Sequence, residues 1–146
     1  MSTKRILIID DEVSFTRIMR MNLEKTGLYE VREENRATHA IKAAREFKPD
    51  LICLDVIMPA MEGGDVASYF MKDPELRKIP IIFITATVSK REAAKSGLNS
   101  GGFVFLAKPV TTETLLETIA DHLNRPYVPP STSPPPEPNA PPKVAY

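Results

Sequence analysis

The sequence lacks the features that mark secreted, membrane-spanning or nucleic-acid-binding proteins. Its single cysteine, Cys53, cannot form an intramolecular disulfide and lies in an apolar run typical of a buried strand. No apolar stretch approaches the roughly 20 residues of a membrane helix, and no secretory segment opens the chain. The 19 Lys and Arg residues balance the 19 Asp and Glu residues, so no basic patch predicts nucleic acid binding. We therefore expect a cytoplasmic protein whose partners are proteins or phosphorylated groups.

Apolar runs of strand length alternate along the chain with segments of helical spacing. Strands are predicted at residues 5–10, 29–33, 51–55, 81–85 and 103–106, and helices at 13–25, 37–47, 65–71, 89–96 and 111–124. The predicted inward faces are Phe15, Ile18, Met19 and Leu23 in the first helix and Leu116, Ile119 and Leu123 in the last. Continuous apolar strands indicate burial on both faces. Five such units predict an α/β fold with a doubly wound parallel sheet.

The composition changes sharply at Pro126. Residues 126–146 hold nine of the 14 prolines and only two charged side chains. Such a segment has little to bury, and polyproline-like disorder is the predicted state. We therefore divide the chain into one domain at residues 1–125 and a proline-rich tail, which is either a loose linker or a ligand for SH3- or WW-type grooves.

Charged residues lie at the ends of three predicted strands. The first strand ends at Asp10, which is followed by Asp11; the third strand ends at Asp55; and Lys108 comes shortly after the fifth strand. Taken singly, each could be a helix cap, a turn residue or a surface charge. However, ligands of parallel α/β sheets bind at the carboxyl ends of the strands, and clustered carboxylates repel one another unless a cation such as Mg²⁺ relieves them. The pattern predicts a pocket for a divalent cation and a phosphoryl group.

The motifs at these positions resemble those of the receiver domain of two-component response regulators. Residues 54–63, LDVIMPAMEG, are similar to the phosphoacceptor segment D-x-x-M-P-x-x-x-G. Residues 84–86 resemble the end of the family's fourth strand, and residues 100–109 resemble its fifth strand and lysine segment. The resemblance covers about residues 4–124. It implies a flavodoxin-like fold with strand order 2-1-3-4-5 and five flanking helices, and we expect a stand-alone, single-domain regulator.

The resemblance implies a role for each acidic residue. Asp55 would be the nucleophile that accepts a phosphoryl group from a phosphohistidine. Asp11, Asp55 and the Ile57 carbonyl would ligate Mg²⁺, and Asp10 would act mainly through bound water.

Residues near the last two strands have implied roles as well. Thr85 would hydrogen-bond a phosphoryl oxygen and Lys108 would pair with its charge. Phe105 occupies the aromatic switch position, where a tyrosine is often found, and would rotate inward after phosphorylation. Pro109 would follow a cis peptide bond. Output would leave through the face formed by the fourth helix, the fifth strand and the fifth helix.

Two positions tune the lifetime of the acyl phosphate in this family. Here they hold Ile57 and Thr87, and neither supplies a carboxamide that could orient an attacking water. Slow hydrolysis is therefore predicted.

The phosphodonor is expected on another protein, a sensor histidine kinase or a histidine phosphotransfer protein. The only histidines, His39 and His122, fall in predicted helices and are interpreted as ordinary helix residues. Two alternatives compete with this interpretation. A Mg²⁺-dependent phosphatase of the haloacid dehalogenase type would need a D-x-D-x-T run, which residues 10–13 do not match. A receiver-like binding module that is not phosphorylated would not need the complete set of site residues.

Overall fold

The computed structural model describes residues 3–86 and 104–124. Their five strands form one parallel sheet in the order β2-β1-β3-β4-β5. The strands are β1 (Lys4–Ile9), β2 (Tyr29–Glu34), β3 (Leu51–Leu54), β4 (Ile81–Thr85) and β5 (Val104–Ala107). The helices of the described ranges are α1 (Val13–Glu24), α2 (Ala40–Phe47), α3 (Gly63–Lys72) and α4 (Thr112–Leu123), with 3-10 turns at Ala37–His39 and Leu76–Lys78.

The predicted doubly wound sheet and its strand order are confirmed. Most boundaries agree with the sequence prediction within one residue. However, α3 begins at Gly63, two residues earlier than predicted, and α2 begins at Ala40, three residues later than predicted, because a 3-10 turn occupies Ala37–His39. The helix predicted at residues 89–96 and the proline-rich tail lie outside the described residues. Among the helices that are described, none combines the length and the apolar character that crossing a bilayer requires.

Alternate residues of β1, β3 and β4 supply two apolar layers, one on each face of the sheet. The layer shared with α2 and α3 includes Leu7, Ile9, Ile52, Leu54 and Phe83. The layer shared with α1 and α4 includes Ile6, Ile8, Cys53, Ile82 and Ile84. The central strand β3 is apolar at every position, because helices cover both faces of the sheet there.

Two predicted inward faces need correction. Ile18 is exposed, because α1 packs through Thr16, Met19 and Leu23, and Ile18 lies about 100° around the helix from Met19. In α4 the fully buried residues are Leu115 and Ile119, whereas the other two predicted residues, Leu116 and Leu123, lie at the margin of the layer.

Cys53 is buried in β3, as predicted. Burial raises the pKa of its thiol to about 12, so the group stays protonated at neutral pH and serves as a small core side chain.

Candidate functional site

The parallel strands all end at the same edge of the sheet, and the predicted acids lie there. Ile9 and Leu54 are paired in register, and each is followed by an aspartate, Asp10 or Asp55. The Asp55 N–H donates to the Ile9 carbonyl at 2.9 Å, which places the two aspartates on adjacent strand ends. Carboxylate oxygens of Asp10, Asp11 and Asp55 lie within 4.8 Å of one another.

Lys108 reaches this acid cluster from the end of β5. Its N–H donates to the Thr85 carbonyl at 3.0 Å, which fixes the backbone beside β4. Its ammonium donates to Asp10 Oδ2 at 2.6 Å and to Glu12 Oε1 at 3.2 Å, and it lies 4.0 Å from Asp55 Oδ2. Burial disfavours the charged ammonium, but the hydrogen bond to Asp10 and the surrounding carboxylates outweigh it and raise the pKa of Lys108. The lysine therefore remains a fixed positive charge in the site.

Asp10 accepts three hydrogen bonds. Oδ1 accepts the Glu12 N–H at 2.9 Å, and Oδ2 accepts the Lys108 ammonium. The Asp10 backbone carbonyl accepts a hydrogen bond from the Asn35 amide at 2.7 Å. Because both carboxylate oxygens already have partners, a cation in the cluster would find its direct ligands at Asp11, which is exposed, and at Asp55.

Asp55 is the buried carboxylate at the centre of the site. Burial, together with repulsion from Asp10, raises the pKa of Asp55 to about 6. Lys108 and the backbone N–H groups of Ile57 and Val56 favour the charged form and offset part of this effect. Asp55 is therefore mainly ionised at neutral pH. Any positive charge added near it would stabilise the ionised carboxylate.

The donor set fits Mg²⁺. Asp11, which is open to solvent, and Asp55, which is buried, offer direct carboxylate ligands, and Asp10 lies beside them with both oxygens already hydrogen-bonded. Hard divalent cations take oxygen ligands, and Mg²⁺ retains several of its waters, so a site with one open side suits it.

The loop after β3 positions α3 against the site. The Gly63 N–H donates to the Val56 carbonyl at 2.6 Å. A Cβ atom at Gly63 would collide with the Asp55 carbonyl oxygen and would lie 2.8 Å from the Val56 Cα. The glycine of the D-x-x-M-P-x-x-x-G segment is thus the residue that lets α3 approach the backbone of Asp55. In the same loop, Ala60 has a φ of +70°, in the left-handed region.

Thr85 and Phe105 lie on the two strands beside the acids. Thr85 ends β4 fully buried. The Phe105 ring is buried and stacks on Phe83, with 4.7 Å between the ring centroids and 11° between the planes. The expected inward rotation of Phe105 would need an outward-facing ring, whereas here the ring is already inside. The Lys108–Pro109 peptide bond is cis, as the resemblance implies.

Three residues that contact the site were not predicted as site residues from the sequence. Glu12 directly follows the acid pair, and that adjacency was a usable signal for its contact with Lys108. Asn35 and Phe15 reach Asp10 and Lys108 through tertiary packing, and no local pattern marks them.

Comparison with known proteins agrees with this geometry. The profile of the response regulator receiver domain family matches residues 6–120. The polar-differentiation response regulator DivK of Brucella anthropi is 31% identical over 121 residues, which cover 82% of this chain and 96% of DivK.

Two solved structures are similar in fold as well as in sequence. A CheY-like response regulator receiver domain protein from Methanospirillum hungatei has a TM-score of 0.72 at 30% identity, over 84% of this chain and 95% of that one. The chemotaxis protein CheY4 of Vibrio cholerae has a TM-score of 0.71 at 28% identity, over 82% and 98% of the two chains. With its acids at the strand ends, its lysine after β5 and a family match over most of its length, the chain belongs to the response regulator receiver domain family.

Proposed function

We propose that the protein is a single-domain response regulator that accepts a phosphoryl group on Asp55 and thereby switches its interactions with other proteins. The donor is the phosphohistidine of a sensor histidine kinase or a histidine phosphotransfer protein. The observation that carries the proposal is the position of Asp55, a buried carboxylate beside two further carboxylates and within 4.0 Å of the Lys108 ammonium.

The transfer is a displacement at phosphorus. An Asp55 oxygen attacks the phosphorus atom, a P–O bond forms, and the P–N bond to the donor histidine breaks. The bond's electron pair goes to the imidazole nitrogen, which takes up a proton from solvent. Asp55 gives up no proton, because the attacking group is the carboxylate. Catalysis of such a step consists mainly of in-line positioning and stabilisation of charge on the equatorial oxygens.

In this proposal Asp11, Asp55 and the Ile57 carbonyl hold Mg²⁺, and Asp10 contributes through bound water. The bound cation supplies positive charge to the phosphoryl oxygens. The existing hydrogen bonds of both Asp10 oxygens support its indirect role.

The remaining positive charge and a hydroxyl come from the chain itself. Lys108 pairs with the phosphoryl oxygens from the β5 side, and Thr85 hydrogen-bonds one of them from β4. Ile57 is 55% exposed, and its apolar side chain offers no group that could orient a water for attack, so hydrolysis of the acyl phosphate is slow.

Output leaves through the face that contains β5 and α4, together with the segment at residues 87–103 that lies outside the described residues. Receiver domains are signalling domains, and a phosphoryl group at Asp55 would favour one of two arrangements of this face. We also propose a cytoplasmic location, in line with the expectation from the sequence.

The proposal is tested by labelling with acetyl phosphate and Mg²⁺, followed by intact-mass measurement. We expect one phosphoryl group on the wild type and on the control Asp65→Asn, which alters an exposed aspartate of α3 outside the acid cluster. We expect none on Asp55→Asn. Equal labelling of wild type and Asp55→Asn would place the phosphoacceptor elsewhere.

The same experiment separates the two alternatives. A phosphatase would release inorganic phosphate over many turnovers, with little protein labelled. A receiver-like binding module would show neither labelling nor turnover. Chelation of Mg²⁺ should abolish wild-type labelling, and Asp11→Ala should lower the affinity for Mg²⁺.

A further inference from the structure

The ring of Phe15 lies against the ammonium group of Lys108, with 4.3 Å between Nζ and the ring centroid. Phe15 belongs to the first turn of α1 and is half-buried, packed against the apolar layer that α1 and α4 share. This packing holds the ring in place, so the ring face limits where the Lys108 ammonium can lie.

We propose that Phe15 is a positioning residue for Lys108. The ring face holds the ammonium inside the site, where it bonds Asp10 and can reach a phosphoryl group on Asp55. The inference rests on the proposed phosphoacceptor function and names a residue that the phosphoacceptor motifs do not include.

The hydrogen bonds of Lys108 support this role. An ammonium group has three N–H donors. Among the residues that the structure describes, Asp10 and Glu12 accept two of them, at 2.6 and 3.2 Å. Asp55 Oδ2, at 4.0 Å, is beyond hydrogen-bond distance. The third donor is thus available for an oxygen added to Asp55.

An aromatic face suits this position because of its electrostatics. It attracts a cation through the ring quadrupole, yet it carries no lone pair that would compete with a phosphoryl oxygen for the third donor. An acidic side chain at position 15 would compete for that donor.

The alternative position for the ammonium is toward solvent. Lysine has a long flexible stem, and the Glu12 side chain, 60% exposed, could draw the ammonium outward. With Phe15 in place, only 12% of the Lys108 side chain is exposed. An aliphatic side chain at position 15 would fill similar space without attracting the cation.

The test compares Phe15→Leu, Phe15→Tyr and a matched control, Phe47→Leu. Phe47 is also partly buried and also has a cation over its ring, the Arg5 guanidinium at 5.5 Å, but it ends α2 and lies near the start of β1 rather than at the site. We expect Phe15→Leu to slow Asp55 labelling by acetyl phosphate about fivefold at saturating Mg²⁺, the size of a partly desolvated cation–π contact. Phe15→Tyr and Phe47→Leu should label at nearly the wild-type rate, and Mg²⁺ affinity should not change in Phe15→Leu.

A second measurement reports the contact without phosphorylation. Protons near the face of an aromatic ring resonate upfield, so the ε-methylene protons of Lys108 should be shifted upfield in the NMR spectrum of the unphosphorylated protein. The shift should persist in Phe15→Tyr and Phe47→Leu and disappear in Phe15→Leu.

An unchanged labelling rate or an unchanged lysine spectrum in Phe15→Leu would overturn the inference. Equal slowing in Phe15→Leu and Phe47→Leu would also overturn it, since loss of any buried ring would then explain the effect. Absence of labelling in the wild type would instead contradict the proposed function, while the methylene shift would still report whether the ring holds Lys108.

Discussion

At the scale of single residues, the buried Asp55 of the candidate site opposes the stability of the fold at neutral pH. Asp55 is buried beside Asp10, and its pKa of about 6 lies above the ordinary value of 3.8. The folded protein therefore binds this proton more tightly than the unfolded chain. The contribution of the Asp55 carboxyl group to the free energy of unfolding therefore falls as the pH rises from about 4 to about 6. At pH 7 this contribution is fully unfavourable.

Because the ionised Asp55 carboxylate destabilises the folded protein at pH 7, we predict that Asp55→Asn is more stable than the wild type at pH 7 without Mg²⁺. The difference should shrink toward pH 4, where the wild-type carboxyl also becomes neutral. Urea unfolding of both proteins at the two pH values measures it, with Asp65→Asn as the control. Mg²⁺ should reduce the difference at pH 7 by stabilising the wild type. A difference in the free energy of unfolding that stays constant with pH would show that the ionisation of Asp55 does not cause it.

The backbone at Ala60 gives a second prediction. Its φ of +70° is costly for a residue with a Cβ atom and easy for glycine. Ala60→Gly should raise the free energy of unfolding by about 1 kcal/mol, as measured in urea. Ala120→Gly, inside α4, should lower it by a similar amount. A loss of stability in Ala60→Gly would mean that the loop does not hold this conformation in solution.

Among the helices, α3 depends most directly on one residue of the acceptor segment. A side chain at Gly63 would press on the backbone of Asp55 and Val56, which cannot rotate away as a flexible side chain could. We predict that Gly63→Ala lowers the free energy of unfolding by roughly 1–3 kcal/mol, the usual cost of overpacking, and also slows labelling of Asp55. Ser68→Ala, at an exposed position of the same helix, should change neither quantity. Wild-type stability in Gly63→Ala would show that α3 can shift away at little cost.

The strands were predicted well because their signal is local. A continuous apolar run followed by an acid or a lysine is visible in the sequence, and the strand ends then place Asp10, Asp55 and Lys108 at one edge. Details that depend on how elements pack were missed. Ile18 has the spacing of a core residue but turns outward, and nothing near Phe15 in the sequence indicates that a lysine 93 positions later lies over its ring.

For the whole chain, the described elements end in α4 and the family match ends at residue 120. We predict that deleting residues 126–146 leaves the melting temperature and the rate of Asp55 labelling unchanged, because this proline-dense segment offers little apolar surface to bury. Thermal denaturation and acetyl phosphate labelling of the shortened protein would check this. A drop in either would show that the tail packs on the domain.

The strand order also has a consequence for biosynthesis. Asp10 and Lys108 are 98 positions apart, and the lysine follows β5, the strand at the far edge of the sheet. A chain emerges from the ribosome with its N-terminal part first. A nascent chain that has folded only its first three strands already carries the three aspartates but not yet their lysine. Under the proposed function, competence for phosphoryl transfer would therefore arise only when the last strand docks, and a product truncated before β5 would be unable to signal.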